Sequence, residues 1–481
     1  MKPISLIKSG FWITYATFLT RFFALISNLI LARLLLPSDF GVIGIAYVFW
    51  SFFTLFTQST TGSFIIYKGT EDKRYLNTAY TVSLCIGITF ALAMIASSPL
   101  IGSWFNQPNL TGLLIIFACN LVISSVFYVY SGIMTRQMQY RELANINLLS
   151  CVIRLLTTTG SALLGLSYWS FAIGDTASWL VACILTRYKS GHNLRLEINP
   201  EVRAEVLSFC LGATGSSFGF YLNANIDNLV VGKLLGSASL GYYNLAYQIT
   251  MSFSTIFNSV IGQLGMPIFA QINNEKQQEE TLFKVIEEIT FVIAPVYALI
   301  FLILDKPLIS LIFGSRWAPM TEVIPWLLIF AYFRVINSPL DSMLSAKGRP
   351  DLNARVNLYI APIAIGAFII GAQSGGILGV SIAVAFVLGI VWTVSWWWVG
   401  CKHFNWSMKN FLKVCFQAFF LIIPSLFISS FLPLFIKPFV FIGLYVLSLR
   451  LIFPKKLLKY QEIAFSSAKW LKKKYTRQQN S

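Results

Sequence analysis

Charge is what this sequence has least of. Of its 481 residues only 11% are Asp, Glu, Lys or Arg, and the mean hydropathy is +0.69. A soluble domain carries roughly 25% charged residues, so most of the chain cannot face water. Histidine occurs twice, as His192 and His403, both in polar connections. The cysteines, Cys85, Cys119, Cys151, Cys183, Cys210, Cys401 and Cys415, form no Cys-x-x-Cys pair and lie in or beside apolar segments. They read as packing thiols, and neither a zinc nor a redox site is supported. A Walker-type glycine loop is also missing, which leaves ATP hydrolysis unsupported. No metal and no cofactor is expected. The apolar stretch Phe11–Leu36 is too long for a signal-peptide core and lacks a small-residue cleavage site, so it reads as a first spanning helix.

What fills the chain is apolar: 56% hydrophobic and 15% aromatic residues. The expected class is an all-α polytopic membrane protein. Windows of about 20 residues give about 14 transmembrane helices, near 11–33, 41–64, 76–98, 110–133, 144–165, 168–186 and 206–224, then 238–262, 285–304, 322–343, 356–372, 376–399, 412–431 and 434–453. Basic residues alternate across the connections as the positive-inside rule requires. Counted with the amino terminus inside, 28 of the 36 Lys and Arg fall on the cytoplasmic side. Only Arg33, Lys233, Lys306, Arg316 and Lys437 fall outside, and Arg21, Arg154 and Arg334 lie within spans. Both termini are therefore expected to be cytoplasmic. The net charge of +17 is spread over these loops and forms no single surface for nucleic acid. The basic tail, with KWLKKKYTR from Lys469, suits either membrane lipids with anionic headgroups or solvent.

The chain also repeats itself. Asn28–Phe49 and Asn228–Ile249 align without a gap, with seven of 22 positions identical. Six spans separate the copies, so both face the same way. That is a parallel repeat of two six-helix lobes, 1–200 and 201–400, followed by two additional helices over 401–453 and a basic tail over 454–481. Two like lobes enclose a cleft, and rocking them exposes it to each side in turn.

The stretch ILARLLLPSDFG, Ile30–Gly41, resembles the first-helix signature of bacterial polysaccharide flippases of the Wzx type. These belong to the multidrug/oligosaccharidyl-lipid/polysaccharide exporter superfamily. FGSRWAP (Phe313–Pro319) and SAKGRPDLNARVNL (Ser345–Leu358) resemble its colanic-acid-exporter-like branch. The resemblance covers about residues 5 to 400. It implies export of a polyprenyl-pyrophosphate-linked oligosaccharide across the bacterial inner membrane by alternating access. It also implies polysaccharide polymerase and chain-length machinery as partners, and no catalysis.

Arg21 is the leading site candidate. It lies mid-span, where a charge costs from about 2.5 kcal/mol to several times that. Thr14, Thr17, Arg21 and Asn28 share one helix face. The second span adds Ser51, Thr54, Gln58 and Thr61, and its repeat partner adds Asn244, Gln248, Ser252, Thr255 and Ser259. These describe a hydrophilic central cleft or, equally, polar glue between helices. Because the resemblance implies a pyrophosphate, arginine forks are apt ligands. Arg154 and Arg334 are expected either to join Arg21, to snorkel, or to pair with Asp175 or Asp341. Asp175 is a proton or sodium site, or an arginine's partner. Asp227 reads as a solvated helix-end residue. Gly41 and Gly241 suit tight packing. The rival readings are a multidrug or metabolite exporter of the same fold and, in another class, a membrane polysaccharide polymerase or ligase.

Overall fold

The computed structural model describes residues 3–58, 61–272, 274–349 and 351–462. A first bundle comprises α1 (Pro3–Leu34), α2 (Pro37–Gln58), α3 (Thr61–Lys68), α4 (Lys73–Trp104), α5 (Asn109–Arg136), α6 (Tyr140–Leu163) and α7 (Trp169–Lys189). A second comprises α8 (Arg203–Leu234), α9 (Gly236–Ala270), α10 (Glu275–Ile303), α11 (Lys306–Ile312), α12 (Ile324–Ala346), α13 (Asp351–Ala383) and α14 (Trp392–Phe404). It also holds a 3₁₀ segment, Ser315–Glu322, and a π-helical one, Val384–Val391. The helices α15 (Met408–Phe416), α16 (Phe419–Ser430) and α17 (Lys437–Ile452) follow. Local sequence sets the starts. Pro37 opens α2, and the Asp39 carboxylate accepts the Leu36 N–H at 2.9 Å. Asp72 caps α4 by accepting the Arg74 N–H at 2.8 Å, and the Arg74 side chain folded back on it holds its carboxyl below the ordinary range.

Among the described residues, ten helical stretches are long and apolar enough to cross a bilayer, the shortest of 20 residues. They overlie eleven of the expected segments. One of them, Arg355–Phe404, holds two, because it doubles back at Gly375 and Gly376, whose dihedrals leave the helical region. Gly371 and Gly379 meet across that hairpin, where a methyl on Gly379 would lie 2.0 Å from the Gly371 carbonyl oxygen. The expected seventh, eighth and last segments fall in α8, α9 and α17, which are outside the ten. Helices outrun their apolar windows: α1, α4 and α8 have 32 residues each. At 1.5 Å per residue that is about 48 Å, against about 30 Å of hydrocarbon. After α17 the helix 454–462 bends away by 116°. Its Lys456 pairs with Glu287 of α10 at 3.0 Å, and the Tyr460 hydroxyl donates to Glu288 at 2.7 Å. KWLKKKYTR lies outside the described residues. The cysteines divide: Cys210, Cys401 and Cys415 are buried, whereas Cys85 and Cys119 are exposed on the bundle. An apolar helix face turned to lipid accepts a thiol as readily as a core does, which the packing-thiol reading overlooked.

Within the first bundle α4 packs on α5, α6 on α7 and α1 on α6; within the second, α9 and α10 pack on α12 and α8 on α13. The bundles meet mainly along α2 and α9. Their first turns touch reciprocally: a methyl on Gly41 would lie 1.7 Å from the Ser237 carbonyl oxygen, and one on Gly241 1.8 Å from that of Pro37. Gly41 matches Gly241 and Pro37 matches Ser237 in the repeat. Each position thus meets the counterpart of its own partner, the signature of a two-fold relation. Trp317 caps this seam. It is fully buried, its ring lies 5.0 Å edge-on from Phe40 and 5.9 Å from Tyr242, and its Nε1 donates to the Ala32 carbonyl at 2.8 Å.

Leucine at Gly41 or Gly241 leaves no room for the seam. Overpacking of this kind costs about 1–3 kcal/mol, so the closed arrangement should lose roughly five- to 150-fold in relative population. A thiol placed by Ser51→Cys, in a background without native cysteines, should label faster from the Pro37 end in Gly41→Leu. Unchanged labelling would mean the seam does not close that end.

Candidate functional site

Below the seam, two to three turns in, the bundles leave a cavity of about 390 Å³. Its wall is carboxamide-rich. α1 contributes Asn28, α8 Asn225 and Asn228, and α9 Asn244 and Gln248, with Ser51, Tyr47 and Trp50 from α2. The Asn28 Nδ2 donates to Gln248 Oε1 at 2.5 Å, joining the two bundles. Both residues were expected in the cleft, and the structure brings them together.

Arg154 also lines this cavity, but its charge is spoken for. Its Nε donates to Asp175, and its second nitrogen donates to the Tyr47 hydroxyl at 2.8 Å. The same hydroxyl donates to Asp175 at 2.6 Å. Asp175 is 8% exposed, and both its oxygens are occupied. Among the roles open for Asp175 the structure displays arginine's partner. Gly174 makes this possible: a methyl there would strike Thr158 Oγ1 at 1.8 Å, so α7 comes close enough to α6 for the pair to form.

Arg334 does not reach this cavity. It lies in the second bundle, 5.9 Å from the Phe330 ring centroid, and lines a small void of about 20 Å³ with Asp227, Tyr247 and Asn357. Tyr247 is the repeat partner of Tyr47, so each bundle sets an arginine and an acid behind the same tyrosine. Asp341 instead accepts from Asn353 at 2.8 Å. Asp227 departs from its solvated helix-end reading. It is 2% exposed and accepts the Tyr243 hydroxyl at 2.6 Å, because α8 runs two turns past it to Leu234 and α9 covers it.

Arg21 and Thr17 lie farther along α1. Thr17 lines a second cavity, about 450 Å³, with Thr20, Asn147, Ser150, Cys151 and Ser178. Arg21 lines neither cavity: it is exposed on α1 between Thr20, which lines one, and Ala24, which lines the other. It lies within electrostatic reach of Cys151 and carries no hydrogen bond or ion pair among the described residues. Gln58 is exposed at the end of α2 and lines neither cavity. Of the other hydroxyls, Thr54 and Ser252 turn to carbonyls of their own helices, as polar glue does. Tyr47 and Trp50 are the residues sequence reasoning missed. Only the Tyr47/Tyr247 identity within the repeat pointed to either.

At the Pro37 end, cations cap helix carboxyl ends in the opposite bundle. Arg33 donates to the Leu311 carbonyl and, at 2.7 Å, to that of Ile312, while its repeat partner Lys233 donates to the Trp104 carbonyl. Arg316 returns the favour to Leu35 at 3.4 Å. The FGSRWAP segment is thus a clasp across the seam.

A model of the polysaccharide biosynthesis protein family matches residues 30–322. The chain belongs to this family. Family resemblance extends to a lipopolysaccharide biosynthesis protein of Escherichia coli (strain K12), WzxC, 23% identical with 90% of this chain and 88% of that one covered. The teichuronic acid biosynthesis protein TuaB of Bacillus subtilis (strain 168) is 24% identical over 75% of this chain and 73% of its own. Among solved structures, the lipid II flippase MurJ in an inward closed conformation superposes with a TM-score of 0.75 at 15% identity, covering 92% of this chain and 99% of that one. A multidrug resistance MATE family transporter in an inward-facing conformation gives 0.63 at 15% identity, covering 84% and 98%. The family member described here therefore has the exporter fold expected from its sequence, a multi-pass membrane bundle in two lobes.

Removing one partner of the buried pair leaves a stranded charge, at a cost of about 3–5 kcal/mol. Asp175→Asn should therefore lower the melting temperature in detergent well beyond the double variant Arg154→Met/Asp175→Leu. Equal loss in both would show that the pair does not act as a unit.

Proposed function

We propose that this protein moves a polyprenyl-pyrophosphate-linked oligosaccharide from one membrane leaflet to the other by alternating access, without catalysing a reaction. One observation carries the reading. A cleft between two like bundles is sealed at one end by the glycine seam, and on the helix leading out of it stands Arg21, a cation without a protein partner among the described residues. Family membership agrees with it. The linings of the two cavities hold carboxamides, hydroxyls and an arginine, with no carboxyl or imidazole for acid–base work. This supports transport over a polymerase or ligase.

The moving units in this reading are 1–200 and 201–400, with 401–453 packed against the second and 454–481 as a basic tail. The loop basic residues at the Lys68 end, Arg74, Arg136, Arg141 and Arg187 among them, support a cytoplasmic position for that end. Both termini are then cytoplasmic, in the bacterial inner membrane, and the seam closes the periplasmic side. The pyrophosphate meets Arg21 from the cytoplasmic side, flanked by Thr17. Polymerase and chain-length proteins would receive the unit outside. A drug exporter of the same fold wants free buried carboxylates for cationic cargo, and here Asp175 and Asp227 are both engaged.

The test is leaflet transfer of a labelled polyprenyl-pyrophosphate oligosaccharide in liposomes. Hydrogen bonds to a charged group contribute about 1.5–3 kcal/mol, so Arg21→Ala should slow transfer roughly ten- to hundredfold, with Arg21→Lys between. If folded wild type moves no such lipid under an imposed potential or ion gradient, the reading fails, and efflux of cationic drugs becomes the alternative to measure.

A further inference from the structure

The cavity beneath the seam does not suit an anion. Its one lining cation, Arg154, is neutralised by Asp175, so the wall carries no net charge. What it offers instead is paired hydrogen-bonding capacity: every carboxamide presents donors and acceptors together. Two of the lining residues also keep a polar atom without a partner, each sealed from the cavity itself. Asn228, 8% exposed, has an Oδ1 with no partner, and the buried Trp50 Nε1 has none either. A wall of carboxamides and hydroxyls calls for a ligand able to donate and accept at once. A phosphate oxygen only accepts. A sugar hydroxyl donates and accepts, and the rings of Tyr47, Trp50 and Tyr247 add apolar faces to the same wall.

Position agrees with chemistry. Asn28 lies seven residues beyond Arg21 on α1, roughly 10 Å along the axis at 1.5 Å per residue. With a pyrophosphate at Arg21, the first sugars attached to it arrive among the carboxamides. Resting on the transport reading above, we propose that the cavity of Asn28, Asn225, Asn228, Asn244 and Gln248 selects uncharged, hydroxyl-rich sugars next to the pyrophosphate and discriminates against acidic ones. The charge of the cargo is read at Arg21, and the sugar is read at the carboxamides.

The experiment uses the full chain in liposomes and two labelled polyprenyl-pyrophosphate probes. One carries a neutral tetrasaccharide, the other the same tetrasaccharide with a uronic acid as its second sugar. A site built for hydroxyls should favour the neutral probe by roughly tenfold or more. Asn228→Leu and Asn244→Leu should erase most of that difference by slowing the neutral probe. Gln248→Lys, whose ammonium replaces an acceptor by a donor and can turn to the Asn28 side-chain oxygen, should speed the acidic probe, a gain that misfolding cannot produce. Wild type that moves both probes equally, or the acidic one faster, overturns the inference and leaves the transport reading standing. A preference untouched by all three substitutions overturns it too, since the sugar is then read elsewhere. Wild type that moves neither probe removes the transport reading, and the inference with it.

Discussion

The contact on which the rest of this structure depends is the approach of α2 to α9 with nothing but glycine hydrogens between them. Gly41 lies against the Ser237 carbonyl and Gly241 against that of Pro37. Backbones this close exclude water and lipid from the seam and bring the first turns of both helices together. The cavity exists because the same helices carry larger side chains, Tyr47, Trp50 and Gln248, a little farther in. Without the glycines, Asn28 could not reach Gln248 across the bundles, and Trp317 would have no joint to cover.

Holding that end shut falls to contacts that can be undone without stranding anything in lipid. Arg33, Lys233 and Arg316 all spend their hydrogen bonds on carbonyls at helix ends. Such cations gain from the helix dipole, about 0.3–1 kcal/mol each, and on opening they turn to water at the membrane surface. The pair deep in the first bundle is of another kind. Arg154 and Asp175 sit within one bundle and move with it, so alternation never has to break them. Between the lobes the charged contacts are weak and solvated, with Trp317 buried among them, and the dry ion pair lies inside a lobe. A protein that must change shape repeatedly at modest cost needs that division of strength.

Much of this was legible in the sequence, and the reason is periodic. An ungapped offset of 200 preserved Gly41/Gly241, Arg33/Lys233 and Tyr47/Tyr247 together, so matching positions were bound to play matching parts. Asn28 and Gln248 were readable as polar residues on helix faces that had to meet something other than lipid. The same kind of argument could not say that Gln58 and Arg334 lie outside the lining of the cavity beneath the seam. A helical stripe gives the face but not how far along the axis the cleft extends, and Gln58 lies beyond it. For Arg334 the missing datum was which of two neighbours its helix faces; the turn of α12 carries it behind Tyr247, into its own bundle. Asp227 was misread because the apolar window ended before the helix did.

The in-span arginines illustrate why counting charges says less than pairing them. From the sequence, Arg154 and Arg334 were free to join Arg21, to snorkel or to pair with an acid. Burial decides: a guanidinium inside a bundle must be met by an acid or by hydrogen-bond acceptors. Arg154 obeys with Asp175 and Tyr47, and Arg334 lies beside Asp227 in its own void. Arg21 is exposed on α1 and has no such partner among the described residues. In the proposed reading the electrostatic pull on a cargo therefore narrows to one point on one helix, and the larger part of the cleft is left free to recognise something without charge.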